Sequence, residues 1–185
     1  TYPFHDTHYN PDFWLVPPAE QAPGKEEQVH RAMQRATNYA RKQYNAVKEY
    51  VAGLGIEKAI HIGETGWATM DNYLYGEEGS KAADEYKQKL YYESISTWTE
   101  KANITCFFFQ AFDEPWKDGK NPVGSENHFG LFTVEGEAKL VLWDQVDAGV
   151  FRGLTRGGNP IRKSYGGDTK ALMNGVFPPD ISKKK

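Results

Sequence analysis

The feature that most constrains the fold is one apolar run, Ile104-Thr105-Cys106-Phe107-Phe108-Phe109-Gln110-Ala111-Phe112. It has strand length, and near-continuous hydrophobicity is what a strand buried on both faces requires. Residues 59–64 bring β-branched side chains up to a glycine-rich loop and read as another strand. Helical patterns precede and separate these two. From about Gly24, Val29, Ala32, Met33, Ala36, Ala40, Val47 and Val51 fall near a helical repeat, with a stop expected at Gly53 or Gly55. A second helix is expected over residues 80–102, with Tyr91, Ile95, Trp98 and Ala102 on one face and Ser80 and Asp84 supporting its start. Residues 1–4 are aromatic and β-prone, and the polar stretch 5–10 reads as a loop. Strand, helix, strand, helix, strand is the order of a parallel sheet covered by helices, so the fold class is α/β.

Beyond Phe112 a polar loop runs to Asn127. Residues 129–134 and 139–142 flank a turn at Glu135-Gly136-Glu137, and residues 142–151 suit a short helix. Composition turns to glycine, proline and charge after Gly153, which marks residues 1–152 as the body and 153–185 as a peripheral tail. With 22 basic and 25 acidic residues, the chain offers no basic face to nucleic acid; its only basic run is Lys183-Lys184-Lys185. No stretch approaches the roughly 18 consecutive apolar residues of a membrane span. Cys106 is the one cysteine, which excludes an internal disulfide and a multi-cysteine metal site; it reads as a small core residue. The chain opens on Thr1 rather than methionine and reads as processed, trimmed or an excerpt.

Three polar clusters follow the three expected strands: His5-Asp6-His8, Glu64-Thr65-Gly66-Trp67 and Asp113-Glu114-Pro115-Trp116-Lys117. In parallel α/β folds this rim is where ligands bind. A carboxylate ending a buried strand costs free energy unless it is paired or used. Glu64 is therefore either catalytic or part of a structural salt bridge, for example with Lys117. Aromatic faces stack on the C–H surfaces of sugar rings while carboxylates and amides take hydroxyls, so the rim has the composition of a carbohydrate site. Tyr2, Trp67 and Trp116 are candidate sugar platforms, Trp67 foremost, with core packing the competing reading. The His5-Asp6-His8 set is expected to hydrogen-bond rather than hold a metal, and His61 to be a satisfied interior or interface histidine. Met33 and the tyrosines at 39, 44 and 50 fit helix packing, and the sequon Asn103-Ile104-Thr105 is read as coincidental.

Ile62-Gly63-Glu64-Thr65-Gly66-Trp67 resembles the nucleophile segment of glycoside hydrolase family 17, the β-1,3-glucanases and glucanosyltransferases. Phe109-Gln110-Ala111-Phe112-Asp113-Glu114-Pro115-Trp116-Lys117 and Ser125-Glu126-Asn127-His128-Phe129-Gly130-Leu131-Phe132 are similar to that family's eighth-strand segment and the stretch after it. Thr1-Tyr2-Pro3-Phe4 is similar to its aromatic motif ending the sixth strand. The resemblance implies the C-terminal portion, about strands 6–8, of a (β/α)8 barrel, a fold that typically needs about 250 residues. It implies Glu64 as nucleophile of a retaining mechanism, with Tyr2, Trp67, Glu114, Trp116, Lys117 and Glu126 contacting sugar. It also implies β-glucan as partner, no metal or other cofactor, and a secreted, periplasmic or envelope location. Glu114, Lys117 and Glu126 are expected to form a charge network around the sugar. Two departures stand out: position 68 is alanine where the family usually has proline, and no Asn-Glu pair is present to supply the acid/base glutamate. That residue is expected from a missing N-terminal barrel half. The competing readings are a non-catalytic carbohydrate-binding or structural half-barrel, and a homo-oligomeric enzyme pairing Glu64 with Glu114 or Glu126. A three-strand piece alone would expose two strand edges and the inner residues near 107–112, so the isolated chain is not expected to fold well.

Overall fold

Helix α1 (Pro3–Tyr9) stands where the sequence suggested a strand end followed by a loop. A proline in the first turn has helical φ and lacks only an N–H that the helix leaves unused. Phe4 and Thr7, one turn apart, are buried together, and the Thr7 hydroxyl donates to the Phe4 carbonyl at 2.7 Å. The computed structural model describes residues 1–70 and 81–179; Ser80 and the lysines 183–185 lie outside them.

Two 3-10 turns, Pro11–Phe13 and Pro18–Glu20, carry the proline-rich connection to α2 (Lys25–Gly53). Arg35 of α2 pins that connection: its Nε donates to the Phe13 carbonyl at 2.7 Å and its guanidinium pairs with Glu20. The expected apolar stripe is buried from Val29 to Ala40, but Val47, Tyr50, Leu54 and Ile56 are exposed. Tyr50 therefore does not pack. Tyr39 does, stacking on Phe13 with centroids 4.3 Å apart, and Tyr44 meets Trp98 edge-on.

Strands β1 (Ile62–Thr65) and β2 (Cys106–Phe108) pair in parallel, with α3 (Glu85–Lys101) as the crossover between them. The Asp84 carboxylate caps α3 by accepting from the Lys87 N–H at 2.8 Å. The expected long strand is thus only three residues, and it is not buried on both faces. Successive side chains alternate sides: Cys106 and Phe108 are half-buried, whereas Phe107 is 61% exposed. Among the described residues, no element shields Phe107. His61 is likewise exposed rather than interior.

Gly66 closes the end of β1 against β2. A Cβ there would lie 2.2 Å from the Phe109 carbonyl oxygen, which is backbone and has nowhere to go. Gly66→Ala is expected to destabilise the fold by about 3 kcal/mol, the upper range for overpacking, read as a lowered midpoint in chemical denaturation.

After β2 the chain turns back on itself. Phe112 and Phe132 bridge in parallel, and Phe132 bridges Ala138 of β3 (Glu137–Ala138) antiparallel. A 3-10 turn, Leu140–Leu142, leads into α4 (Trp143–Asp147) within the span where a short helix was expected. Strands β4 (Thr155–Arg156) and β5 (Asn159–Pro160) form a hairpin, β6 (Arg162–Lys163) pairs in parallel with β3, and α5 (Thr169–Asn174) is capped by Asp168. Glycine and charge mark the turns of this stretch, yet it carries Leu172 and Val176 into the principal core beside Trp14, Trp67, Tyr91 and Trp143. Glu85 ties it down further, accepting from the Leu140 N–H and the Ser164 hydroxyl, each at 2.7 Å. Burial pushes the Glu85 carboxyl up, and these two donors hold it back. The architecture is mixed α/β with small parallel and antiparallel sheets, as part of a barrel would be; no closed eight-stranded barrel is formed by the described residues.

Candidate active site

Glu64 lies on β1 with its side chain exposed, and the Tyr2 hydroxyl donates to its Oε2 at 3.0 Å. Tyr2 precedes α1, and its ring meets Phe129 edge-on at 5.8 Å and Phe109 at 6.4 Å. Burial, then the Glu64 carboxylate, raise the Tyr2 phenol well above its ordinary value, so its proton stays in place to donate.

Phe109 and Phe129, 6.0 Å apart, form the floor on which the other polar groups stand. The Lys117 ammonium sits 3.9 Å above the Phe109 ring and pairs with Glu114 at 3.0 Å. Glu126 does not join that pair. Its Oε1 faces His5 Nε2 at 3.7 Å, and the His5 ring packs 5.8 Å from Phe129 and 5.7 Å from Tyr2. The expected three-membered network is therefore two separate pairs, Glu114 with Lys117 and Glu126 with His5.

Trp67 has no exposed surface. Its Nε1 donates to the Ala82 carbonyl at 2.9 Å and its ring packs on Phe4, Trp14 and Tyr91. A sugar platform needs an open face, so the expectation for Trp67 gives way to the packing one. Trp116, 65% exposed, keeps its face open. The sequence placed His5 in a polar rim cluster without a partner for it, and Phe109 and Phe129 stood there only as members of family-like segments. The sign available for His5 was its spacing, one helical turn from Tyr2, once Pro3 is read as a helix start. Cys106 is half-buried at the edge of the core. No group of three or more His, Cys, Asp or Glu among the described residues is placed to hold a metal ion. No helix among them is long and apolar enough to cross a membrane.

Burial lowers the His5 imidazole from its ordinary value near 6.5, against the pull of Glu126 and Asp6. The folded protein then binds fewer protons at this site than the unfolded chain, so stability rises with pH through the window just below 6.5 and is lost on acidification. His5→Gln is expected to flatten that part of a plot of melting temperature against pH.

An exposed strand-end carboxylate held by a phenol, beside the Glu114–Lys117 ion pair, the Glu126–His5 contact and an open indole, can act as a nucleophile on a sugar and bind its hydroxyls. Residues 43–142, which include Glu64, Glu114, Lys117 and Glu126, match glycosyl hydrolases family 17. The chain belongs to this family. A crystal structure of an endo-laminarinase from Formosa Hel1_33_131 is 57% identical and superposes with a TM-score of 0.96, covering 100% of this chain and 47% of that one. Among curated relatives, a glucan 1,3-beta-glucosidase of Arthroderma benhamiae is 34% identical over 91 residues, 46% of this chain and 28% of that protein. Its counterpart in Schizosaccharomyces pombe is 39% identical over 69 residues, 37% of this chain and 20% of that protein. This family 17 chain thus spans about half of the solved relative and less than a third of the curated ones.

Proposed function

We propose that this chain is the C-terminal part of a retaining β-1,3-glucan hydrolase or glucanosyltransferase, with Glu64 as nucleophile. The observation that carries the reading is the Tyr2 hydroxyl on the Glu64 carboxylate at 3.0 Å, at the open rim of a family 17 chain. Glu64 attacks the anomeric carbon and forms a covalent glycosyl-enzyme as the glycosidic C–O bond breaks and the departing sugar oxygen takes a proton from the acid. Water, or a second sugar hydroxyl, then gives that proton back and displaces Glu64, completing hydrolysis or transfer. Retention requires a second carboxyl about 5–5.5 Å from the first, acting as acid and then base. That glutamate comes from an N-terminal barrel half, and the barrel closes only when both halves are present. Trp116 stacks on a sugar ring, while Glu114, Lys117 and Glu126 take hydroxyls. The substrate is a β-glucan outside the cytoplasm, which places the protein in a secreted, periplasmic or envelope setting. No cofactor enters the mechanism.

The test combines a denaturing intact-mass spectrum of purified active material with an assay on β-1,3-glucan oligosaccharides. A second polypeptide, or a mass well above 21.0 kDa, is expected in every active preparation. Turnover by this 185-residue chain alone would overturn the need for a second half. Binding without turnover by the longer species would instead favour a carbohydrate-binding module.

A further inference from the structure

Beneath the rim lies a buried cation that the proposed chemistry does not use. Lys139, immediately after β3, is 2% exposed. Its ammonium donates to Asp113 Oδ1 and Thr69 Oγ1, each at 2.7 Å, and to the His128 carbonyl at 3.4 Å. Burial pushes the Lys139 pKa down, and Asp113 pulls it back up.

The three partners belong to three different rim segments. Thr69 lies on the loop leaving β1, five residues after Glu64. Asp113 directly precedes Glu114, and His128 follows Glu126 by two residues. The segments are also joined to one another at this point. The Thr69 N–H donates to the His128 carbonyl at 3.0 Å, Asp113 Oδ1 accepts from the Gly130 N–H at 2.9 Å, and Asp113 Oδ2 faces His128 Nδ1 at 3.5 Å. Gln88 of α3 adds a parallel tie, donating to the Trp67 carbonyl at 2.9 Å and the Gly130 carbonyl at 3.0 Å. A desolvated ion pair contributes little net stability against apolar replacements. Its charge-assisted bonds are short and directional, so they fix geometry.

We propose that Lys139 is a positioning residue whose buried ammonium sets the spacing between the rim segments carrying Glu64, Glu114 with Lys117, and Glu126. Its kinetic consequence rests on the glucan-cleaving reading above; its structural consequence does not. Lys139→Met alone strands the Asp113 carboxylate in the core, so the deciding variants are milder. They are made in the protein that carries this chain together with its acid/base half.

Thr69→Val removes one acceptor of Lys139, together with the Thr69 hydroxyl's own donation to the His128 carbonyl at 3.2 Å, and keeps the shape. With β-1,3-glucan oligosaccharides, kcat is expected to fall about tenfold while KM stays within about threefold, because misplaced reacting groups cost rate more than affinity. Thr69→Ser, which keeps the hydroxyl, restores the rate. Hydrogen exchange at the Thr69 and Gly130 amides speeds up in Thr69→Val and not in Thr69→Ser. The double variant Asp113→Asn with Lys139→Met, which removes both charges and keeps an acceptor for Gly130, lowers kcat at least as far. Wild-type kcat and wild-type exchange in Thr69→Val would overturn the proposal. Should the unmutated protein show no glucan turnover, the functional reading fails, and the exchange comparison still decides the role of Lys139.

Discussion

Glu64→Gln is expected to lower turnover of β-1,3-glucan oligosaccharides at least about a thousandfold, or roughly 4 kcal/mol of transition-state stabilisation. The reason is chemical rather than structural. An amide oxygen still accepts from the Tyr2 hydroxyl, so the side chain keeps its anchor, but it no longer forms a stable glycosyl ester. Glu64 is exposed and serves no core contact, so the melting temperature should hold. Oligosaccharide affinity, measured by calorimetry, should also hold, because Trp116, the Glu114–Lys117 pair and the Glu126–His5 contact are untouched. The competing readings separate cleanly. A binding module shows the same affinity with and without the substitution and no turnover in either protein. An oligomeric half-barrel enzyme turns over with this chain alone and loses activity on Glu114→Gln or Glu126→Gln.

The elements that local chemistry determines were legible in the sequence. The α2 stripe from Val29 to Ala40, its glycine stop and the Asp84 cap of α3 each follow from residues within a few positions of one another. Helix α1 was not recognised because Tyr2 and Phe4 favour strand by composition, while Pro3 between them starts a helix. The strand over residues 104–112 was misjudged for a different reason. A nine-residue run with seven apolar side chains predicts cover on both faces, but whether anything covers Phe107 depends on elements other than this run. The site divides in the same way. Glu64, Glu114 and Lys117 could be read from short motifs, and the last two pair across a single turn. The partner of Glu126 could not, since His5 lies 121 positions away and only the packing of α1 on Phe129 brings it near. Lys139 entered the sequence reading only as part of the stretch 139–142 beside a turn, and only the folded backbone brings its three acceptors around it.

Trp67 shows how motif adjacency and spatial role can part, and it carries the largest expected effect on stability. It stands three residues after Glu64, yet Gly66 lets the chain pass so close to Phe109 that the indole enters the core. Trp67→Ala is expected to destabilise the protein by about 3–5 kcal/mol, the range for truncating a buried large aromatic. It empties the space between Phe4, Trp14 and Tyr91 and strands the Ala82 carbonyl. Trp67→Phe refills most of that space and leaves chiefly the unpaired carbonyl, a loss of about 1–3 kcal/mol. Denaturant midpoints measure both. The decisive comparison is affinity for a glucan oligosaccharide per folded molecule, which Trp67→Phe should leave unchanged. Trp116→Ala should do the reverse, weakening binding while shifting stability by no more than about 0.5 kcal/mol, as at other exposed positions. If Trp67→Phe weakened binding in well-folded protein as much as Trp116→Ala does, the indole would have to reach the sugar, and the buried position described for it would be wrong.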